Sequence, residues 1–345
     1  MPHPYDAILL HSFGGPNGPD DVIPFLENVL RGRNVPRARL AEVAEHYLHF
    51  GGVSPINEQN LALIDALRVE LDAHGIDLPI HFGNRNWEPF LIDTLRDLQY
   101  AGAKRILTLV TSGFSCFSGC RQYREDMQKA QEALGEDAPA SDKIRVWYNH
   151  PLFIETHQNS IDAAIAAFDT APEAGKLHIA FCAHSIPDAM ADNCAYQAQL
   201  QDAAQLIATA CGADDTALVW QSRSGPPQQP WLEPDICDHL ETLKERGISH
   251  VVICPLGFIS DHMEVLFDLD HEALEKAEEL GLHAQRSATP GVQPTFVAML
   301  RELIQERLDG SLEKRALGER GPNHDVCPPG CCKSGRPEGA GRPTS

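Results

Sequence analysis

The chain has 345 residues, 43% apolar and 22% charged, an ordinary composition for a soluble globular protein long enough for two domains. Its 49 acidic against 28 basic residues give a formal charge of -21, which disfavours broad contact with nucleic acid or anionic lipid and suits a cationic or metal ligand. No apolar run reaches the roughly eighteen residues of a membrane span, and MPHPYDAILLHSF lacks the parts of a leader peptide. A cytoplasmic protein without stable membrane insertion is expected.

Short apolar runs alternate with longer amphipathic stretches, the pattern of βα units that build parallel sheets. In order, strands are expected at AILLHSF (7–13), PIHFGNR (79–85), RILTLVTS (105–112), IRVWYNH (144–150), LHIAFCAHS (177–185), ALVWQSR (217–223), HVVICPLGF (250–258) and LHAQRSAT (282–289). They form two groups of four, split near 165–176, where DTAPEAGK reads as a linker. The expected fold is α/β, with two similar Rossmann-like domains, each a four-stranded parallel sheet flanked by helices. Residues 1–165 form the first domain and 166–310 the second; FVAMLRELIQERLDG is the last helix, and 311–345 is a cysteine-containing tail.

Most of these strands end in Gly, Pro, Ser or His motifs: SFGGP, GNRNW, TSGFS, HSIP, QSRSGPP and GFISDH. Open parallel sheets bind ligands beyond the carboxyl ends of their strands, so these motifs should converge on one crevice. His184 leaves its strand there, able to accept a proton near neutral pH or to bind metal as a neutral imidazole. The 250–276 segment is expected to run from strand directly into a helix, on which Glu264, Asp268 and Glu272 recur every four residues among Asp261, His262, Asp270 and His271. On one helix face these carboxylates repel unless protons or cations are bound; a solvated acidic face is the competing reading. No G-x-G-x-x-G, P-loop or G-x-S-x-G motif occurs, which argues against nucleotide binding and serine hydrolysis. Arg31, Arg33, Arg121 and Arg124, interleaved with Tyr47, Phe50 and Tyr123, could grip carboxylates on a flat apolar ligand, or simply offset an acidic surface.

Taken together, SFGGP, FLENVLRGR, HYLHFGGVSPIN, FGNRNWEPF, SGCRQYRE, HSIP, WQSRSGPPQQPWLEPD and GFISDHMEVLFDLD resemble a ferrochelatase over residues 5–308. Such enzymes insert ferrous iron into a porphyrin in haem synthesis, and their architecture is that of the class II chelatases. YLHFGGVSPIN, GNRNWEP and QSRSGPP are similar to actinobacterial members, which act on coproporphyrin III to give coproheme. The resemblance implies His184 as pyrrole proton acceptor and Glu264 as its partner across the macrocycle, with Asp268 and Glu272 as an iron or proton route. It implies porphyrin or propionate contacts at Arg31, Tyr47, Ser54 and Tyr123. Phe13 stands where some coproporphyrin enzymes carry a ligating tyrosine; it cannot ligate and should form an apolar wall. His46 replaces a more basic residue. The alternatives are a protoporphyrin IX ferrochelatase, another tetrapyrrole chelatase, or a non-catalytic haem-binding or transfer protein. A monomer is expected, open to transient contact with neighbouring haem-pathway enzymes.

The tail resembles the [2Fe–2S] segment of some ferrochelatases. Such a cluster takes four ligands, and Cys327, Cys331 and Cys332 supply three. Cys120 is the expected fourth, with Cys116 and Cys194 as runners-up, while the place of the animal internal ligand falls near Thr156 or His157. A tetrahedral zinc site or an unliganded tail stays open.

Overall fold

A computed structural model describes residues 3–31 and 36–335; Arg33 and the end of the expected tail segment lie outside the described residues. The strands are β1 (Ala7–Ser12), β2 (Ile80–Asn84), β3 (Arg105–Val110), β4 (Ala140–Lys143), β5 (Leu177–His184), β6 (Thr216–Gln221), β7 (His250–Cys254) and β8 (His283–Arg286). Before β5 come helices α1 (Val22–Val29), α2 (Arg37–His49), α3 (Ile56–Ala73), α4 (Leu91–Tyr100), α5 (Gln122–Leu134) and α6 (Pro151–Ala166). After it come α7 (Asp188–Ala191), α8 (Tyr196–Cys211), α9 (Ile236–Glu245), α10 (Met263–Val265), α11 (Leu274–Glu279) and α12 (Pro294–Leu308). Two π-helical segments, Phe117–Arg121 and Leu266–Ala273, precede α5 and α11.

The two sheets are parallel and share one topology, β2-β1-β3-β4 and β6-β5-β7-β8. In each, the order reverses beside the first strand, which puts a topological switch point, the place where open parallel sheets bind ligands, at the carboxyl ends of β1 and β3 and again at those of β5 and β7. The inner strands are covered on both faces: Ile179 to Ala183 of β5 are at most 1% exposed, which is why IAFCA is continuously apolar. Burying each large side chain of this kind contributes about 1.5–3 kcal/mol.

One strand differs from expectation. The fourth of the first sheet is the polar ASDK, whereas the apolar IRVWYNH after it leaves the sheet. Ile144 keeps one ladder bond, its N–H donating to the Thr108 carbonyl at 3.0 Å, and then the chain turns inward. Arg145, Trp147 and Tyr148 are each 1% exposed, filling the space before α6 rather than pairing at the sheet edge. Hydrophobicity marked burial there, and an edge strand with one solvated side needs little of it.

Packing crosses between the halves. Helix α6 packs on α8, β7 and β8 of the second sheet, and α12 returns against α3 of the first. Buried Arg145 holds Glu306 of α12 through Nε and Nη2 at 2.7 and 2.8 Å, and its Nη2 also donates to the Arg315 carbonyl at 2.8 Å. Asn149 donates to the carbonyls of Leu317 (3.2 Å) and Gly321 (2.8 Å). The tail after α12 has no helix or strand as far as residue 335, and these bonds strap it to the body. Arg145→Met should therefore cost about 3–5 kcal/mol in denaturant unfolding by stranding the Glu306 charge, and adding Glu306→Leu should recover most of it.

Candidate active site

β5 delivers His184 to its carboxyl end, in register beside Gln221 of β6. The loop after β7 passes close by: a Cβ at Gly257 would stand 2.9 Å from the Ala183 Cβ, so only glycine lets the backbone run against β5 here. This loop, Pro255–His262, separates strand from helix, where the sequence reading had the two continuous. His262 caps the helix start, its Nδ1 accepting from the Val265 N–H at 3.4 Å.

The ring of His184 is oriented by its neighbour. Nδ1 donates to the Ser185 carbonyl, which places the lone pair of the neutral imidazole on Nε2. Nε2 faces the Glu264 Oε2 at 3.6 Å, with the two side chains 32% and 49% exposed. A flat macrocycle between them needs about 7 Å, two van der Waals contacts, so the two meet more closely than the sequence reading placed them. Glu264, on the short α10 and the more exposed of the pair, is the one free to swing aside.

The helix carrying the carboxylates is not a simple α-helix. From Leu266 to Ala273 it is π-helical, a bulge that redirects the side chains and recurs at functional sites. Gln221 and Ser222 hold this segment. The Gln221 amide donates to the Glu264 carbonyl at 3.1 Å and to the Asp268 carboxylate at 3.3 Å, while the Ser222 hydroxyl makes a short bond to the same carboxylate. Ser222 takes a left-handed backbone, φ 61°, rare outside glycine and asparagine. Burial, with Glu264 nearby, pushes the Asp268 carboxyl up to about 7, against the lowering pull of Ser222. Partial burial and Asp235 raise Glu272. Burial raises Tyr47 as well, reinforced by Glu264 and Asp268, so its phenol stays protonated. Gln221 and Ser222 were missed by sequence reasoning; their place in the strand-exit string QSRSGPP was the only signal.

The aromatic residues of the first half gather nearby. Phe13 and Tyr47 both pack on Phe25, with ring centroids 6.2 and 5.7 Å away. Arg85 lies over Tyr123 at 4.8 Å and over Phe13 at 5.8 Å, and its Nε pairs with Asp126 at 2.6 Å. Ser54 is buried beside Gly15. Arg31 sits exposed just past α1, donating to Asn28. α2 lies across the π segment: His46 stacks on Phe267 at 4.0 Å and His49 on His271 at 4.9 Å.

Beside the start of α5 the cysteines meet. Cys120, 3% exposed, shares side-chain hydrogen bonds with Cys327 and Cys332, and these, with Lys143, draw its thiol strongly down. Arg124 Nη1 reaches the Cys331 sulfur at 3.9 Å. Cys116 is engaged with the Gly119 N–H and Cys194 with the Met190 carbonyl. Among the described residues no group of three or more His, Cys, Asp or Glu side chains is arranged around a single metal ion. A surface cavity of about 520 Å³, lined by Tyr148, Gln199, Lys314, Arg320 and His324, does not include the His184–Glu264 pair.

The ferrochelatase family model matches residues 5–308. The chain belongs to the ferrochelatase family. A ferrochelatase of Rhodopirellula baltica is 56% identical over 330 residues, covering 95% of this chain and 93% of that protein. A coproporphyrin III ferrochelatase of Streptomyces coelicolor is 52% identical over 98% of this chain and 96% of its own length. As a ferrochelatase the chain is a metal-inserting enzyme of the lyase class. The solved structure described as SirB from Bacillus subtilis with Fe3+ superposes with a TM-score of 0.54 at 14% identity, covering 88% of this chain and 96% of that one, and so shares the two-domain Rossmann-like fold.

The raised carboxyl of Asp268 carries a pH signature. Its proton is bound more tightly folded than unfolded, so its ionisation weakens the fold as pH rises from about 4 through about 7. Asp268→Asn should flatten the fall of Tm between pH 5 and pH 8 relative to the parent chain, measured by calorimetry.

Proposed function

We propose that this ferrochelatase inserts ferrous iron into coproporphyrin III to give coproheme in haem biosynthesis. The observation that carries the site reading is the Nε2 of His184 facing the Glu264 carboxylate at 3.6 Å, beside a π segment whose next carboxyl is raised to about 7. Support for the substrate comes from the Streptomyces relative, named for coproporphyrin III.

Metallation exchanges two pyrrole protons for one divalent ion. His184 Nε2 accepts a pyrrole proton as the ring is bent and its nitrogen lone pairs turn toward iron. Glu264 guides the incoming ion or passes protons to Asp268 and Glu272. Asp268 suits this relay because a carboxyl near 7 both takes and releases a proton at working pH. Iron must be handed on, so carboxylates in a row serve better than a closed cage that would retain it. Phe13 forms an apolar wall with Tyr47 and Phe25, Tyr123 lies under Arg85, and Arg31 and Ser54 address the propionates. Binding energy from the propionates holds the ring distorted, which accelerates the chemical step.

The tail is read as a [2Fe–2S] segment. Its donor set fits the group: Cys120 touches Cys327 and Cys332, Cys331 adjoins them, and such a cluster takes two thiolates at each iron rather than a cage around one ion. Bound there, the cluster supplies one-electron redox chemistry; the four cysteines hold it, and the strap at Arg145 and Asn149 keeps the tail in place.

Two measurements test these readings. His184→Ala should lower the rate of anaerobic Fe(II) insertion into coproporphyrin III by about 10²–10⁴-fold with porphyrin binding kept, and Asp268→Ala or Glu272→Ala should lower kcat more than they raise KM. Faster turnover of protoporphyrin IX than of coproporphyrin III would replace the substrate. Protein purified without oxygen should show visible [2Fe–2S] absorption that Cys120→Ser removes; a colourless parent chain would end the cluster reading.

A further inference from the structure

Two basic side chains of the first half have sulfur where a carboxylate would be expected in so acidic a chain. Lys143, the last residue of β4, donates from Nζ to the Cys120 sulfur at 3.4 Å. Arg124, on the first turn of α5, aims Nη1 at the Cys331 sulfur at 3.9 Å. Although the chain carries 49 acidic residues, the contact each of these cations makes among the described residues is with a cysteine. Arg121, at the end of the first π segment, adds a third charge: it donates from Nη1 to the Cys331 carbonyl at 3.1 Å while its Nε pairs with Glu125 at 2.8 Å.

We propose that Lys143, Arg124 and Arg121 form a cationic collar on the thiol quartet that raises the one-electron reduction potential of the cluster held there. This rests on reading the tail as a [2Fe–2S] segment. Four thiolates, two sulfides and two ferric ions sum to two negative charges, and adding one electron makes three. A positive charge against the ligand sulfurs stabilises the more negative state more, so each collar residue favours reduction. The electron comes from an external one-electron donor and stays on iron, with no bond made or broken. The collar also explains the siting of the fourth thiol: Cys120 lies where β4 and α5 bring cations together, whereas Cys116 and Cys194 are bound to backbone groups.

The test is a spectroelectrochemical titration of the full-length protein, purified without oxygen and poised with dithionite and mediators, followed by visible absorption and by the electron paramagnetic resonance of the reduced cluster. At the parent midpoint, Lys143→Met should lower the reduced-to-oxidised ratio about tenfold, a shift of about 59 mV to lower potential, and Lys143→Arg should restore most of it. A Lys143→Met midpoint equal to the parent's, with iron and sulfide content intact, overturns the collar while leaving the cluster standing. A parent protein with no iron or sulfide overturns both. If Lys143→Met does not retain its cluster, Arg124→Gln decides: a lowered midpoint supports the collar and an unchanged one rejects it.

Discussion

The candidate site depends on strand register. Parallel pairing of β5 with β6 sets His184 beside Gln221, and the Gln221 amide then reaches the Glu264 carbonyl and the Asp268 carboxylate. One hydrogen-bonded side chain thus fixes how the π segment stands against the imidazole. Because Gln221 is 1% exposed, with the Cys182 thiol donating to its carbonyl oxygen at 3.4 Å, its amide is oriented from both ends. Moving the register by one residue would turn Gln221 to the opposite face of the sheet, away from both groups.

Much of this was legible in the sequence because the relevant signals are local. Inner parallel strands announce themselves as apolar runs, and seven of the eight strands fell within the expected segments. The strand-exit motifs marked the carboxyl ends of the strands, and topology places those of β1 and β3, and of β5 and β7, at switch points regardless of what they bind. The site was less readable wherever geometry departs from regular elements. A spacing of four reads as an α-helical ladder, yet the π segment redirects it, and no propensity distinguishes the two. Gln221 and Ser222 look like ordinary turn residues until the left-handed backbone at Ser222 turns its hydroxyl onto Asp268. IRVWYNH misled for a related reason: its burial serves the passage to α6 and the Arg145–Glu306 pair, which join elements far apart in sequence.

The tail follows different physics. It cannot build a core, so its order comes from hydrogen bonds to the body and from sulfur. The Arg145 and Asn149 donors satisfy tail carbonyls on one side, while Lys314 and Arg307 hold Asp325 from the other, two residues before Cys327. The segment is thereby placed, and the loop-closure cost of bringing Cys327 and Cys332 to Cys120 is met by polar contacts along the way.

A chelatase has to handle iron without keeping it. Three carboxylates in a row attract a divalent cation, but a closed set of ligands would make release the slow step. Two features of the ladder bear on this. Among the described residues no three such side chains converge on one metal position, and burial raises the Asp268 carboxyl to about 7. Protonation of Asp268 removes a negative charge and relieves its repulsion with Glu264 in the same event. A carboxyl raised in this way is buried but hydrogen-bonded. Without burial Asp268 would stay ionised; without Ser222 and Gln221 its ionised form would cost still more.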